Sequence, residues 1–561
     1  MSGSESPSPV RRRTFVLGAA ATAGSAALTA GPLARPAAAA AFGYTDDGSN
    51  YVVDTGADLV FKVSKSTGDL TSLAYRGTEY QGYGGMNSHI ESGLGSSTVT
   101  IARSGPTILI SVTHGTLKHY YAARSGENNV YLWTYKADTS VSATRYIVRV
   151  RAGLFPNDEP DSYTYTTSTV EASDVFAKSD GQTRSKHYSK RRTIDYDHVG
   201  WTTGAVGLWM VRSNHEKASG GPFYRSLLRH QSADGGGLYE ILYYGQNQTE
   251  EQRFGLQGPY VIAFTDGGAP SSSLFPGTLT TPWADSLGIS GYVAASGRGR
   301  VAGVGITGRD TAYPYTVALA GAAAQYWGPA RSSDGWFSIA GVLPGTYTLT
   351  VHKSELAVFS TQVTVSAGAT TTLNSIAIPS SNDPANAGAI WRINDWTGTP
   401  SGFKNADLMT YAHPSDVRAA AWTGNVVIGS GAETSGFPCY LWKDVNSGLL
   451  VYFKLTAAQA AAAHTLRIGV TTAYANGRPQ VVVNDTWTSA VPSPPTQPST
   501  RSLTNGSYRG NNHTFTYSVP ASAWLTDTGR YNVLKIDVVS GSGSAAYLSA
   551  GTAIDAIDLL A

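Results

Sequence analysis

The chain has 561 residues, including 62 glycines, 32 tyrosines and 12 tryptophans, and its formal net charge is +2 at pH 7. A chain of this length is too long for one hydrophobic core and is expected to divide into several compact units. The near-neutral charge argues against nucleic acid or an anionic membrane as a main partner, because both call for a sustained excess of lysine and arginine.

Residues 1–41 are predicted to be an export signal. They contain Arg11-Arg12-Arg13, an apolar stretch from Phe15 to Leu33 and a small-residue run from Ala37 to Ala41. This order is typical of secretory signals, and the arginine run resembles a twin-arginine signal, which exports proteins that are already folded. We therefore expect a secreted, extracellular protein. Removal of four arginines and one glutamate with this segment leaves a net charge of about −1.

Cys439 is the only cysteine, so no intrachain disulfide can form. The absence of disulfides agrees with export in the folded state from a reducing cytoplasm. No later apolar run approaches the roughly 20 residues that span a bilayer, so no membrane anchor is predicted. We expect a monomer.

Short runs rich in β-branched and aromatic residues fill positions 42–285 and predict a large β-sandwich, as part of an all-β fold. Side chains alternate between the two faces of a strand. Arg145 and the run Tyr146–Val150 that follows it form one such strand. Arg145, Ile147 and Arg149 therefore share one face, and the two arginines project side by side. Other predicted strands are Tyr51–Val53, Leu59–Val63, Ile108–Val112 and Val130–Tyr135.

Two further units are predicted downstream. Residues 286–378 have the length of a small sandwich, and the turn Pro344-Gly345 before an alternating strand resembles fibronectin type III-like modules. A linker rich in Ser, Asn, Asp and Pro covers 379–387. Residues 388–561 fit a carbohydrate-binding-like jelly roll. Trp391, Trp396 and Trp442 in this unit could stack on sugar rings, but burial in the core is the default for tryptophan.

The run from Thr183 to Arg192, Thr-Arg-Ser-Lys-His-Tyr-Ser-Lys-Arg-Arg, concentrates positive charge in an otherwise near-neutral protein. A basic run of this kind is usually a solvated face. Its position after Arg145 and Arg149 also allows two basic elements to converge on one groove for an acidic polysaccharide.

Eliminative cleavage of a polyuronate needs a cation on the carboxylate, a base for the adjacent C–H and a proton for the leaving oxygen. Arginine suits the first task, because its planar fork pairs with a carboxylate in bidentate fashion. A lysine can act as base only if its pKa is lowered, and neighbouring cations such as Arg184 and Arg191 have that effect. Lys186 is the natural candidate for the base.

The chain resembles the family 4 polysaccharide lyases, the three-domain rhamnogalacturonan endolyases of fungi and bacteria, over nearly all of its length after the signal. The matching motifs are Ser88–Gly95, Leu117–Tyr121, Leu154–Asn157, Arg184–Lys186, Gly220–Phe223, Gly291–Gly299, Ala324–Trp327, His413–Asp416 and Asn476–Gln480. The resemblance implies a catalytic super-sandwich, a fibronectin type III-like module and a carbohydrate-binding-like jelly roll. It also implies cleavage of the pectin rhamnogalacturonan, a plant cell-wall polysaccharide, by β-elimination at a galacturonate.

By this resemblance Lys186 matches the family's catalytic lysine, and Arg145 and Arg149 match a pair of arginines in the substrate groove. We also expect Tyr243 and Glu250 to contact substrate. The family's second catalytic residue is a histidine, and the position that aligns with it here is Gln246. An amide cannot donate a proton as a general acid.

Three explanations for Gln246 remain open. One is a replacement acid, for which Tyr244, its neighbour Tyr243 and the upstream His230 are candidates. Another is a substrate whose leaving group needs less help. The third is loss of catalysis with retention of binding, which would make the chain a binder of pectic polysaccharide.

Other sites have weaker signals. The histidines are scattered, so a transition-metal site is not predicted and no cofactor is required. Asp395 and Asp555 could meet at a structural calcium if the terminal strands of the last unit lie together, although ordinary surface carboxylates are the more common case. A glycoside hydrolase would need two facing carboxylates, whereas Glu250 and Glu251 are adjacent and would point to opposite faces of a strand.

Overall fold

The computed structural model describes residues 41–156, 168–171, 175–185, 191–212, 214–225, 227–232, 234–245, 248–498, 510–540 and 542–561. The predicted export signal up to residue 40, Lys186 and Gln246 lie outside these ranges. The described chain is nearly all β, which confirms the predicted fold class. None of its helices combines the length and apolar character that crossing a bilayer requires.

The described residues of the first region form four sheets. Its strands are β1 (Gly43–Asp46), β2 (Asn50–Asp54), β3 (Leu59–Ser64), β4 (Leu70–Tyr75), β5 (Thr78–Glu79), β6 (His89–Ile90), β7 (Thr98–Ser104), β8 (Thr107–His114), β9 (Leu117–Arg124), β10 (Asn129–Lys136), β11 (Thr144–Arg151), β12 (Ser168–Glu171), β13 (Val175–Ala177), β14 (Thr183–Ser185), β15 (His198–Thr202), β16 (Gly207–Arg212), β17 (Arg229–Ser232), β18 (Gly235–Tyr243) and β19 (Gly255–Thr265). The sheet orders are β1-β2-β3-β4-β5, β15-β16-β19-β10-β9-β8-β7, β17-β18-β11-β6 and β12-β13-β14.

The strand β11 shows how sequence alternation builds this region. Its residues Tyr146, Val148 and Val150 are buried in the main core, together with side chains of the five-stranded and seven-stranded sheets. Arg145 and Arg149 lie part-buried on the opposite face, as the alternation predicts. The four-stranded sheet therefore has one face in the core and one face that carries the two arginines.

The seven-stranded sheet is covered on its second face by the segment that follows β19. Ile289 packs there in a cluster with Trp133, and the hydroxyl of Ser290 accepts hydrogen bonds from Lys118 and Tyr120. The sequence places the start of a second unit near Leu287. In the structure this segment packs on the first region, and the next strand begins at residue 299.

The middle region is a small sandwich around Val301, Phe337 and Leu349. Its strands are β20 (Gly299–Gly303), β21 (Ile306–Thr307), β22 (Tyr315–Ala320), β23 (Gln325–Pro329), β24 (Phe337–Val342), β25 (Gly345–Lys353), β26 (Leu356–Val365), β27 (Thr370–Leu373) and β28 (Ile376–Ala377). They form the sheets β24-β20-β27 and β23-β22-β25-β26 and the parallel pair β21-β28.

The last region is a second sandwich, in which Trp391, Trp396 and Trp442 are buried, as predicted. Its strands are β29 (Ala389–Ile393), β30 (Val426–Val427), β31 (Tyr440–Trp442), β32 (Leu449–Phe453), β33 (His464–Tyr474), β34 (Arg478–Val483), β35 (Trp487–Thr488), β36 (His513–Val519), β37 (Asn532–Val539) and β38 (Gly551–Leu560), with helices α1 (Glu433–Gly436) and α2 (Ala457–Ala460). The sheets are β29-β38-β33-β36, with β31 also on β38, and β30-β32-β37-β34-β35.

Short 3₁₀ turns connect the strands. They lie at Tyr83–Gly85, Thr193–Asp195, Ser272–Leu274, Pro282–Ala284, Ala295–Gly297, Ser380–Asn382, Pro384–Asn386, Leu408–Thr410, Ala521–Ala523 and Ala546–Leu548. The single cysteine, Cys439, is buried and free.

Candidate active site on the four-stranded sheet

The outer face of the four-stranded sheet gathers polar side chains from all four of its strands. On β11, Arg149 lies opposite Gly237 of β18, and Gly237 lies in turn opposite His230 of β17. On the other side, Ile147 of β11 lies opposite His89 of β6. Directly opposed residues in a ladder point to the same face, so the two arginines and both histidines share it.

Arg149 contacts two aromatic side chains. Its Nη2 lies 3.3 Å from Nε2 of His89. The guanidinium carbon also lies 5.5 Å from the centre of the Tyr83 ring. These contacts fix the orientation of the guanidinium group.

Arg145 stacks on a different ring and has no carboxylate partner among the residues that the structure describes. Its guanidinium carbon lies 4.9 Å from the centre of the Tyr244 ring, and its Nε is buried without a hydrogen-bond partner. Elsewhere in the described residues Arg212, Arg225 and Arg253 each form an ion pair with a glutamate. A guanidinium without such a pair is available to an anion that arrives from outside, because its fork still matches a carboxylate.

The pKa of His89 is lowered from 6.5 to about 4, by burial and then by the positive charges of Arg149 and Arg145. The ring is therefore neutral near pH 7, and its Nε2 can accept the hydrogen bond that Arg149 donates. When folding lowers the pKa of a histidine, stability is unaffected at a pH above the pKa of the unfolded chain. Stability is then lost as the pH falls from the unfolded pKa toward the folded pKa.

We expect His89→Gln to lose less stability on acidification than the wild-type protein. Between roughly pH 7 and roughly pH 4.5 the wild-type protein should lose about 2 kcal/mol more unfolding free energy than the variant. The reason is that His89 binds a proton in the unfolded chain and not in the folded protein. Chemical denaturation at both pH values measures it. His114→Gln, away from the arginines, is the control and should follow the wild type; an identical pH dependence for His89→Gln would contradict the assignment.

His230 and Tyr239 form a buried pair on the same face. The hydroxyl of Tyr239 lies 2.7 Å from Nδ1 of His230, and burial raises the pKa of Tyr239 far above its usual value. Gly237 makes room for the pair, because a Cβ there would lie 2.7 Å from Cε1 of His230 and 3.0 Å from Cε2 of Tyr239. The predicted acid His230 thus lies on the sheet face that carries Arg149.

The other predicted residues take different positions. Tyr243 ends β18 opposite Thr144, part-buried. Glu250 is paired with Arg253 at 2.6 Å, and none of its described contacts is to Arg145 or Arg149. Gln248 Oε1 accepts from the backbone N–H groups of Tyr244 and Gly245, which fixes the turn that precedes residue 246. Gln246 itself lies outside the described residues.

Lys186 also lies outside the described residues, directly after the last residue of β14. Sequence reasoning missed His89, Tyr83 and Tyr239 as members of this face. The signal for Tyr239 was present, because it alternates with Ile241 and Tyr243 along one strand. His89 and Tyr83 come from a short strand and a turn whose pairing with β11 no local pattern reveals.

The predicted calcium ligands have protein partners. Asp555 Oδ1 accepts from the backbone N–H groups of Thr397, Gly398 and Thr399 at 2.9 to 3.2 Å. Burial raises the pKa of Asp555 to about 7 in spite of these bonds. Asp395 accepts from the hydroxyl of Tyr313. In the described ranges no three or more His, Cys, Asp or Glu side chains are grouped as metal ligands would be.

Each region of the chain matches a family model. Residues 42–291 match the model described as rhamnogalacturonan lyase B, N-terminal. Residues 297–373 match polysaccharide lyase family 4, domain II, and residues 389–559 match domain III of the same family.

Similar proteins align over almost the whole chain. Rhamnogalacturonate lyase A of Emericella nidulans is 40% identical over 527 residues, which cover 93% of this chain and 96% of that protein. Rhamnogalacturonate lyase A of Aspergillus aculeatus is 40% identical over 531 residues, with the same coverage of both proteins. A putative rhamnogalacturonase of Neurospora crassa is 36% identical over 535 residues, again 93% of this chain and 96% of that protein. On this evidence the chain belongs to polysaccharide lyase family 4.

Proposed function

We propose that this protein is a secreted lyase that cleaves the rhamnogalacturonan backbone of pectin by β-elimination at a galacturonate. The observation that carries the proposal is the pair Arg145 and Arg149 on one sheet face, where Arg145 has no carboxylate partner among the described residues. Family membership and the names of the relatives support the same substrate class.

In the proposed reaction the two arginines neutralise the carboxylate of a galacturonate, which acidifies the hydrogen on C5. Lys186 in its unprotonated form takes that hydrogen as a proton. The electron pair of the C–H bond forms the C4–C5 double bond, and the bond from C4 to the oxygen of the neighbouring sugar breaks. The departing oxygen then needs a proton. The cations Arg184 and Arg191 near Lys186 in sequence favour its unprotonated form.

The proton for the leaving oxygen cannot come from Gln246, because an amide is not a general acid at useful pH. Of the candidates, His230 is better supported than Tyr244. His230 is paired with the Tyr239 hydroxyl and shares the face of Arg149, whereas the Tyr244 ring is stacked under Arg145. We therefore assign the acid to His230 as part of the proposal. Tyr243, at the end of β18, is a further proposed substrate contact.

A second candidate function is a pectic-polysaccharide binder with weak or no catalysis, or a lyase of altered specificity. Gln246 in the place of the family's histidine is the observation that favours it. The binding face would be the same, because carboxylate recognition by Arg145 and Arg149 does not depend on an acid.

We expect the purified protein to produce unsaturated uronate from rhamnogalacturonan, because the double bond formed at C4–C5 absorbs in the ultraviolet. Polygalacturonan is the control polymer and should give no product. Bound polymer without product at any pH would favour the binder. Gln246→His distinguishes a protein that lacks a general acid from one that uses His230. An increase in kcat of about 10-fold or more points to a missing acid, since general acids contribute about 10²–10⁴-fold. An unchanged kcat supports His230.

The proposed location is extracellular, and its support is the segment at residues 1–41 with its arginine run and small-residue end. The proposed partner is plant cell-wall rhamnogalacturonan, bound by a monomer.

A further inference from the structure

A loop of the last region contacts the small three-stranded sheet of the first region. We call residues 413–418 the docking loop. The backbone N–H of His413 donates to Oγ1 of Thr183 at 2.8 Å, and the N–H of Val417 donates to the carbonyl oxygen of Gly181 at 3.3 Å. Gly181 has a φ of 81°, which favours glycine, and a Cβ there would lie 2.4 Å from Cγ1 of Val417.

Asp416 makes the central contact of the docking loop. Its Oδ2 accepts from the backbone N–H of Thr183 at 2.6 Å and from Oγ1 of Thr183 at 2.9 Å. Arg418 donates to both carboxylate oxygens at 2.8 Å. Asp416 is 3% exposed and Thr183 is 1% exposed. Burial alone would raise the pKa of Asp416, but the bonds from Arg418 and Thr183 outweigh it and hold that pKa well below its usual range.

The docking loop also reaches the opposite edge strand of the small sheet. Nε2 of His413 lies 3.2 Å from Oε2 of Glu171, the last residue of β12, and both side chains are buried. The loop therefore contacts β12 and β14, between which β13 is paired. Charge-assisted hydrogen bonds in a buried site are among the stronger ones, so this contact fixes the sheet firmly.

Thr183 begins β14, and Lys186 follows the end of that strand. Only three peptide units separate Lys186 from Thr183 along the chain. Displacement of Thr183 would be passed to the lysine through covalent geometry, and a catalytic group that is misplaced by about 1 Å can lose about 10²-fold in rate.

From these contacts we infer that Asp416 is a positioning residue for the base. The last region holds β14 through Thr183, and Lys186 follows this strand directly in the chain. The inference rests on the proposed role of Lys186. It gives the last region a part in catalysis that is separate from any binding of polysaccharide.

The test compares variants of the full chain on rhamnogalacturonan. Asp416→Asn and Thr183→Val should each lower kcat about 10-fold or more and leave KM within about twofold, because the arginines that bind the uronate are untouched. Thr183→Ser keeps the hydroxyl that donates to Asp416 and accepts from the N–H of His413, so this variant should retain most of the wild-type activity. Asp383→Asn is the matched control, since it breaks the buried pair of Asp383 with Lys353 in the middle region. It should lower the melting temperature and leave kcat unchanged.

Hydrogen–deuterium exchange supplies a readout that does not need turnover. The peptide that contains Thr183–Ser185 should exchange about 10-fold faster in Asp416→Asn than in the wild type, while Asp383→Asn leaves it unchanged. Unchanged exchange in Asp416→Asn overturns the positioning role. Faster exchange with unchanged kcat overturns its link to catalysis. A wild-type protein without product refutes the proposed lyase, and exchange still decides whether Asp416 holds the strand.

Discussion

Lys186→Ala is expected to lower kcat by about 10²–10⁴-fold on rhamnogalacturonan, because general base catalysis contributes rate factors of that size. Binding of the polymer should change little, since the carboxylate is held by arginines and not by the base. Initial rates of double-bond formation and a separate binding measurement give the two quantities. Lys178→Ala, which removes a part-buried lysine paired with Asp180 after β13, is the control and should retain full activity.

Arg149→Ala should behave differently from Lys186→Ala. Loss of this guanidinium weakens binding as well as turnover, because it interacts with the carboxylate before and during the reaction. If Lys186→Ala retained wild-type kcat, another residue would be the base. If Arg149→Ala left binding unchanged, the sheet face that carries it would not be the substrate groove.

Glu355→Ala is expected to cost about 3–5 kcal/mol of stability, the usual effect of removing one partner of a buried ion pair. Glu355 lies in the turn between β25 and β26 and is 1% exposed. Its carboxylate accepts from Arg225 at 3.0 Å and from Arg192 at 3.3 Å, and its backbone N–H donates to the carbonyl oxygen of Thr397. The substitution removes this counterion from the buried Arg225, so the desolvation of its charge is less well compensated in the folded protein.

Thermal and denaturant unfolding measure the effect of Glu355→Ala. Because the side chain of Glu355 joins the middle region to the first region, we expect the unfolding midpoints of these two regions to fall together. Asp334→Ala is the control: it breaks the exposed pair with Arg331, and such pairs contribute little. An equal midpoint for both variants would contradict the role assigned to Glu355.

The spacing of residues along the chain predicted correctly which side chains of β11 share a face. The alternation in β11 placed Arg145 and Arg149 on one face and Tyr146 and Val148 on the other, and the structure agrees. This prediction succeeded because alternation is a local property of extended backbone with a period of two residues. The all-β fold class was predictable for the same kind of reason, from composition and short-range pattern.

Pairing of strands that are distant in sequence decided the rest. β11 lies between β6, more than fifty residues upstream, and β18, more than eighty residues downstream, and this order brings His89 and His230 to the arginines. No local signal indicates that order, because strand pairing is fixed by the burial of the whole core.

The sequence by itself determined the all-β class, the shared face of Arg145 and Arg149 and the family resemblance, since each depends on residue identity and short-range order. Only the tertiary structure decided that His230 pairs with Tyr239 on that face and that Asp416 of the last region holds Thr183 of the first. The Asp416–Thr183 contact is non-local, and so is the pairing of β18 with β11 that sets the His230–Tyr239 pair beside Arg149. They exist because packing desolvates polar groups that must then find partners wherever the chain brings them together.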